Sequence, residues 1–294
     1  MKTINKRMFI LGILAFVLQG CTHDDYIAAP VDPQAADKVA YAAADMVNGY
    51  KLYNEFTKAE TGAITGFVPN DPSVVAKNIT DYSDFYRCKS CHGWDQKGRN
   101  GSYINRPATA TRPNPTQVQL TNLRYADISI LFEKIKHTGG ATVDPARTAN
   151  GLNTTLGGDN HPDFGKILSD AKIWDLVKFL KEGAFDTDQL YAINIVGAYP
   201  ATVAPVYTDL GRDGNVTSGD TFFSTKCVSC HGTDGKKIMF GTTSLGKFVR
   251  TKPYEIQHKI VSGQLGTIMG HTPATLQDVK NLFKAMNDNV KYPN

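Results

Sequence analysis

The sequence predicts an all-α fold made of two units in tandem, each wrapped around one covalently held group, with long irregular loops. Three observations predict it. Cys88-Lys89-Ser90-Cys91-His92 returns later in the chain as Cys227-Val228-Ser229-Cys230-His231, and each copy is followed by a glycine, Gly93 and Gly232. Apolar residues recur at helical spacing in segments placed alike around the two copies. Between those segments run polar, proline-bearing passages suited to an irregular backbone around a bulky group.

Cys-x-x-Cys-His is the pattern through which a c-type haem is attached. Each thiol adds to one haem vinyl group, and the adjacent histidine supplies an axial nitrogen to the iron. Two residues between the thiols form one tight turn, and the histidine that follows lies under the haem face. Zinc held by four thiolates, or two disulfides, would use the same cysteines. Neither calls for a histidine directly after the second cysteine in both copies. The expected cofactors are therefore two covalent c-type haems. Cys88, Cys91, Cys227 and Cys230 carry the thioether bonds, and His92 and His231 bind the irons.

The chain has 294 residues, which suits two domains, and a globular composition with 41% hydrophobic and 20% charged residues. The formal charge of +4 owes much to Lys2, Lys6 and Arg7 at the N-terminus. Without them 29 basic residues face 28 acidic ones, and no nucleic-acid footprint remains. That basic start precedes an apolar run from Met8 to Leu18, too short to span a bilayer and right for a signal peptide over residues 1–20. Leu18-Gln19-Gly20-Cys21 resembles the bacterial lipobox, with Gln19 an unusual occupant of its place. The resemblance implies that Cys21, the one cysteine outside the two motifs, is lipidated and anchors the protein to a membrane. An ordinary cleavage site near Gly20 and an uncleaved anchor are the alternatives. Export agrees with haem attachment, which takes place outside the cytoplasm. By the sorting rule of enteric bacteria, Thr22 after the cysteine points to the outer membrane, so the expected location is a lipid-anchored, periplasmic or cell-envelope face.

Residues 21–36, with Pro30 and Pro33, read as a tether. The first unit spans 37–186. Val39, Ala43, Met46, Tyr50 and Tyr53 predict one amphipathic helix over 37–58, with Met46 in its core stripe. Tyr82, Phe85 and Tyr86 precede the first motif and could pack on a porphyrin. A proline-rich wrap follows to about residue 124, then a helix over 126–136 ending at Gly139-Gly140, a loop with His161-Pro162, and a helix over 169–181. Ile173, Leu176, Val177 and Leu180 line one face of that last helix, and Trp174 flanks it. Residues 187–212 lack helical period and read as a connection that could hold a short strand. Asp213-Gly214-Asn215 reads as a turn rather than a calcium loop. The second unit, 213–294, has a helix before Cys227, another around Pro253–Val261, and a closing helix over 275–286 that Thr275 and Asp278 cap.

With these motifs and helices, each half resembles the class I cytochrome c family. That family places its sixth iron ligand, usually methionine, in the loop before the closing helix. In the second unit the resemblance implies Met269, with His271, Met239 and His258 as alternatives. No methionine lies between Met46 and Met239, and the matching loop of the first unit offers His161, with His137 as the alternative. His161 precedes Leu168 and Asp170 by seven and nine residues, as Met269 precedes Leu276 and Asp278. The closing helices register better with a shift of about two residues. The first unit also departs from the family in longer loops and in lacking a Gly-x-x-x-aromatic spacing before Cys88.

Six-coordinate iron suits electron transfer, because no site is left for substrate. The expected function is a dihaem c-type cytochrome passing electrons between redox partner proteins at the membrane surface. Its first haem would be His/His and its second His/Met. A methionine ligand raises the potential, so electrons would run from the first haem to the second. The alternatives are an enzyme, peroxidase-like or thiosulfate dehydrogenase-like, and an electron-transfer subunit or sensor in a larger complex. The thiosulfate enzymes use a further cysteine as iron ligand, and every cysteine here is assigned.

Overall fold

Ala44 and Asp45 divide into two helices the segment expected as one over 37–58, giving α1 (Ala35–Ala43) and α2 (Met46–Ala59). The reason is a cap. The Asp45 carboxylate accepts from the amides of Val47 at 2.8 Å and Asn48 at 3.1 Å, which starts a new helix and is worth about 1 kcal/mol. The Asp45 amide in turn donates to Asp175 Oδ1 at 2.6 Å.

The computed structural model describes residues 32–59, 84, 87–109, 112–136, 164–166 and 168–294. After α2 come α3 (Cys88–His92), α4 (Ile128–Lys136) and α5 (Asp170–Lys178), which runs on through a wider π turn to Gly183. A hairpin of β1 (Ala192–Asn194) and β2 (Val206–Thr208) follows, antiparallel with Ile193 opposite Tyr207. The chain then forms α6 (Val216–Lys226), α7 (Val228–His231), α8 (Leu245–Thr251), α9 (Gln257–Ser262) and α10 (Leu276–Met286). Among the described residues the hairpin is the only sheet. The capping box at Thr275 and Asp278 is present in full, and Asn215 caps α6 by accepting from the Ser218 amide at 2.9 Å.

Two helix crossings build the core. In the first half α2 packs on α5, where Ile173, Leu176, Val177, Leu180 and Trp174 are all buried, against Tyr50, Leu52 and Tyr53. In the second half α6 packs on α10, with Phe223 against Val279, Leu282, Phe283 and Met286. At each crossing a glycine lets the backbones meet. A Cβ on Gly49 would lie 1.9 Å from the Asp175 carbonyl oxygen, and one on Gly219 2.0 Å from that of Asn281.

The passage 187–212 is core as well as connection. Leu190, Tyr191, Tyr207 and Leu210 are buried in the second cluster. The Ala201 amide donates to Ile104 O at 2.9 Å, and Lys97 pairs with Asp188. Tyr254 packs against both clusters, and Pro33–Asn294 cluster as one compact unit.

Candidate functional site: two cysteine–histidine turns

The first motif is the single turn α3. Its Gly93 takes φ +72°, the left-handed region where glycine is at ease, and returns its amide to Lys89 O at 2.9 Å. Tyr53 of α2 donates its hydroxyl to Gly93 O at 2.6 Å, and Arg87 donates to Asn54 O at 2.9 Å. Both bonds tie the turn to α2 across the 60–83 segment. His92 and Ser90 are buried. Beyond the turn, the buried Asp95 carboxylate accepts from the Ser102 amide at 2.6 Å and the Lys97 amide at 3.2 Å, folding the proline-rich wrap back on itself. Burial raises the pKa of Asp95, and the Ser102 and Lys97 bonds pull it back.

The second motif repeats this geometry. His231 N donates to Cys227 O at 2.9 Å, and Gly232, at φ +76°, returns its amide to Val228 O at 2.8 Å. Here α6 runs straight into the turn, with the Cys227 amide on Phe223 O at 2.9 Å. His231 is buried, its Nδ1 has no hydrogen-bond partner, and burial lowers its pKa. A neutral imidazole is the form that binds a metal.

The four thiols of the two turns are free. No disulfide joins Cys88 to Cys91 or Cys227 to Cys230. Among the described residues no three His, Cys, Asp or Glu side chains gather as a metal cluster, so the two thiol pairs do not converge on one zinc site. Burial pushes the Cys88 thiol up to about 12, and the Cys227 thiol up to about 11. Two thiols on one turn, a buried histidine next to them and apolar walls fit a covalently attached haem at each motif. The walls of the first site include Tyr53 and Trp94, and those of the second Phe223 and Val228.

Of the expected sixth ligands, Met269 is half-buried in the loop between α9 and α10. Its carbonyl accepts from the Gln264 amide at 2.8 Å. His271 is exposed, and its Nδ1 lies against Val261 O. Met239 is exposed, and His258 is buried inside α9. Met46 packs on Gly183, and Met286 is core. His161 and His137 lie outside the described residues, as do Cys21, Tyr82, Phe85 and Tyr86.

The structure corrects the first unit's departure from the family spacing. Gly49-x-x-x-Tyr53 on α2 occupies the place that Gly219-x-x-x-Phe223 holds on α6, and the 60–83 segment separates it from Cys88. The signal is present in the sequence, within the apolar stripe of α2. The register of the closing helices is sharpened too. Ser169 and Thr275 are the matching N-caps, and Asp175 and Asn281 meet the matching glycines. This pairing sets Met269 level with Asp163, two residues after His161.

Sequence reasoning missed a second feature, a contact between the halves. The rings of Trp94 and His258 stack with centroids 3.4 Å apart and planes 12° from parallel. Gln257 Nε2 donates to Trp94 O at 3.0 Å, and the Tyr50 hydroxyl donates to Gly263 O at 2.8 Å. Lys89 Nζ lies 5.5 Å from the Trp94 ring centroid, and burial lowers its pKa to about 8, with Arg87 adding to the effect. No periodicity or motif marks such a pair in advance.

A family model described as Cytochrome c matches residues 82–184 and 216–284, together more than half of the chain. No curated protein and no solved structure matches it. Among the described residues no helix is long and apolar enough to cross a membrane.

Proposed function

This chain belongs to the cytochrome c family, and we propose that it is a dihaem electron carrier anchored at a membrane surface of the cell envelope. Membership of the family implies haem-based electron transfer. The observation that carries the dihaem reading is the repetition of one constellation. Twice, a Cys-x-x-Cys-His turn ends in a left-handed glycine, beside a helix crossing closed by another glycine. Each bound haem would supply one-electron chemistry with little rearrangement.

The chain's own residues divide the work. Cys88, Cys91 and His92 would hold the first haem, and Cys227, Cys230 and His231 the second. His161 would bind the first iron and Met269 the second. A methionine ligand raises the potential of a c haem, so residues 37–186 form the lower-potential unit and 213–294 the higher. Cys21 carries the lipid, residues 22–36 are the tether, and redox partner proteins deliver and remove the electrons. Electronic and magnetic spectroscopy of the oxidised protein tests this reading. Two low-spin haems, one with a methionine–iron band, are expected. A high-spin ferric haem would move the assignment to an enzyme.

A further inference from the structure

We propose that the Trp94–His258 stack is the electronic bridge between the two halves. The inference rests on the dihaem reading above and names the residues through which an electron passes within it. Electron coupling falls steeply with distance, and survives better through bonds and tight contacts than through gaps. Trp94 follows His92 by two residues, so two peptide units link it to the first axial histidine. Its ring meets His258 at 3.4 Å between centroids, nearly parallel. Both side chains are buried, at 3% and 4% exposure.

The far side of the contact leads to the second site. His258 belongs to α9, and α9 supports the loop that carries Met269. The Thr272 amide donates to Ile260 O at 3.2 Å, and His271 Nδ1 lies on Val261 O. The Gln264 amide, just beyond the helix, donates to the Met269 carbonyl at 2.8 Å. The stack therefore joins the proximal turn of the first site to the distal loop of the second. Tyr50 flanks both rings, with centroids 5.4 Å from Trp94 and 5.7 Å from His258, and its hydroxyl clamps Gly263. In the step itself one electron leaves the reduced first site and arrives at the oxidised second site. No bond forms or breaks, and external protein donors and acceptors close the balance.

The test uses the full chain with both haems attached. After a pulse of a one-electron reductant, the rate of internal exchange between the haems is followed, along with both potentials and the optical spectra. Trp94→Leu and His258→Leu each replace a flat contact with a gap and are expected to slow exchange on the order of tenfold. His258→Phe keeps a flat ring and is expected to keep the wild-type rate. Both His258 variants should retain both potentials and spectra, and because Trp94 lines the first site the rate in its variant is compared at that variant's own measured potentials. An unchanged rate in His258→Leu overturns the bridge. So does a loss of the low-spin signal in His258→Phe, which would make His258 an iron ligand instead. Where Trp94→Leu fails to fold, the contrast between His258→Leu and His258→Phe decides. A wild-type protein with a single haem would refute the dihaem reading rather than the bridge.

Discussion

Gly49 lies so close to Asp175 that an added Cβ would stand 1.9 Å from its carbonyl oxygen, and Gly219 meets Asn281 at 2.0 Å in the same way. The clash is with backbone, so no change of rotamer relieves it. Gly49→Ala and Gly219→Ala are each expected to lower stability by about 1–3 kcal/mol through overpacking. Denaturant unfolding of the haem-loaded protein measures this. Midpoints equal to wild type would show that neither glycine closes its crossing.

Met269 is expected to set the higher potential. Met269→Ala should abolish the methionine–iron band and lower the potential of the second haem, leaving the first unchanged. Met269→His should lower that potential as well, while keeping the haem low-spin. A band that survives in Met269→Ala would transfer the role to another residue, with Met239 the next to substitute.

His258 predicts a pH dependence of stability. Burial, with Lys259 and Lys89 nearby, holds its pKa well below the usual histidine value, and the Tyr254 backbone pulls weakly the other way. The folded chain therefore keeps this ring neutral while the unfolded chain protonates near its ordinary value of about 6.5. Below that pH the unfolded state binds the extra proton, so stability is full above about pH 6.5 and falls as the pH drops. His258→Phe should flatten that part of the profile. A profile with the same slope in the variant would show that other groups carry it.

Much of the fold was legible in the sequence because its signals are local. The closing helix and its cap could be read from apolar spacing and from Thr275 with Asp278. The apolar face of α5 was visible in Ile173, Leu176, Val177 and Leu180. The split at Asp45 was missed because an N-cap inside a continuing apolar stripe looks like helix surface. Gly49 carries no local signal of its role, because 60–83 separates it from Cys88 and its close contact is with a helix far along the chain. Residues 187–212 lack periodicity, yet Leu190, Tyr191, Tyr207 and Leu210 are core, because a hairpin buries side chains without a helical signature. The cysteine–histidine turns were legible as local structure, since each is set by five consecutive residues and the glycine after them. The Trp94–His258 contact was not, because only the packing of α9 on the first half brings the rings together.

The number of haems covalently bound per chain decides whether both turns are loaded. It is read by intact mass and by haem absorbance of protein made in a host that attaches c-type haem. Two per chain are expected. One is expected in the double variant Cys88→Ser/Cys91→Ser and one in Cys227→Ser/Cys230→Ser, each retaining the spectrum of the other site. A wild-type chain that carries one haem or none would contradict the dihaem reading.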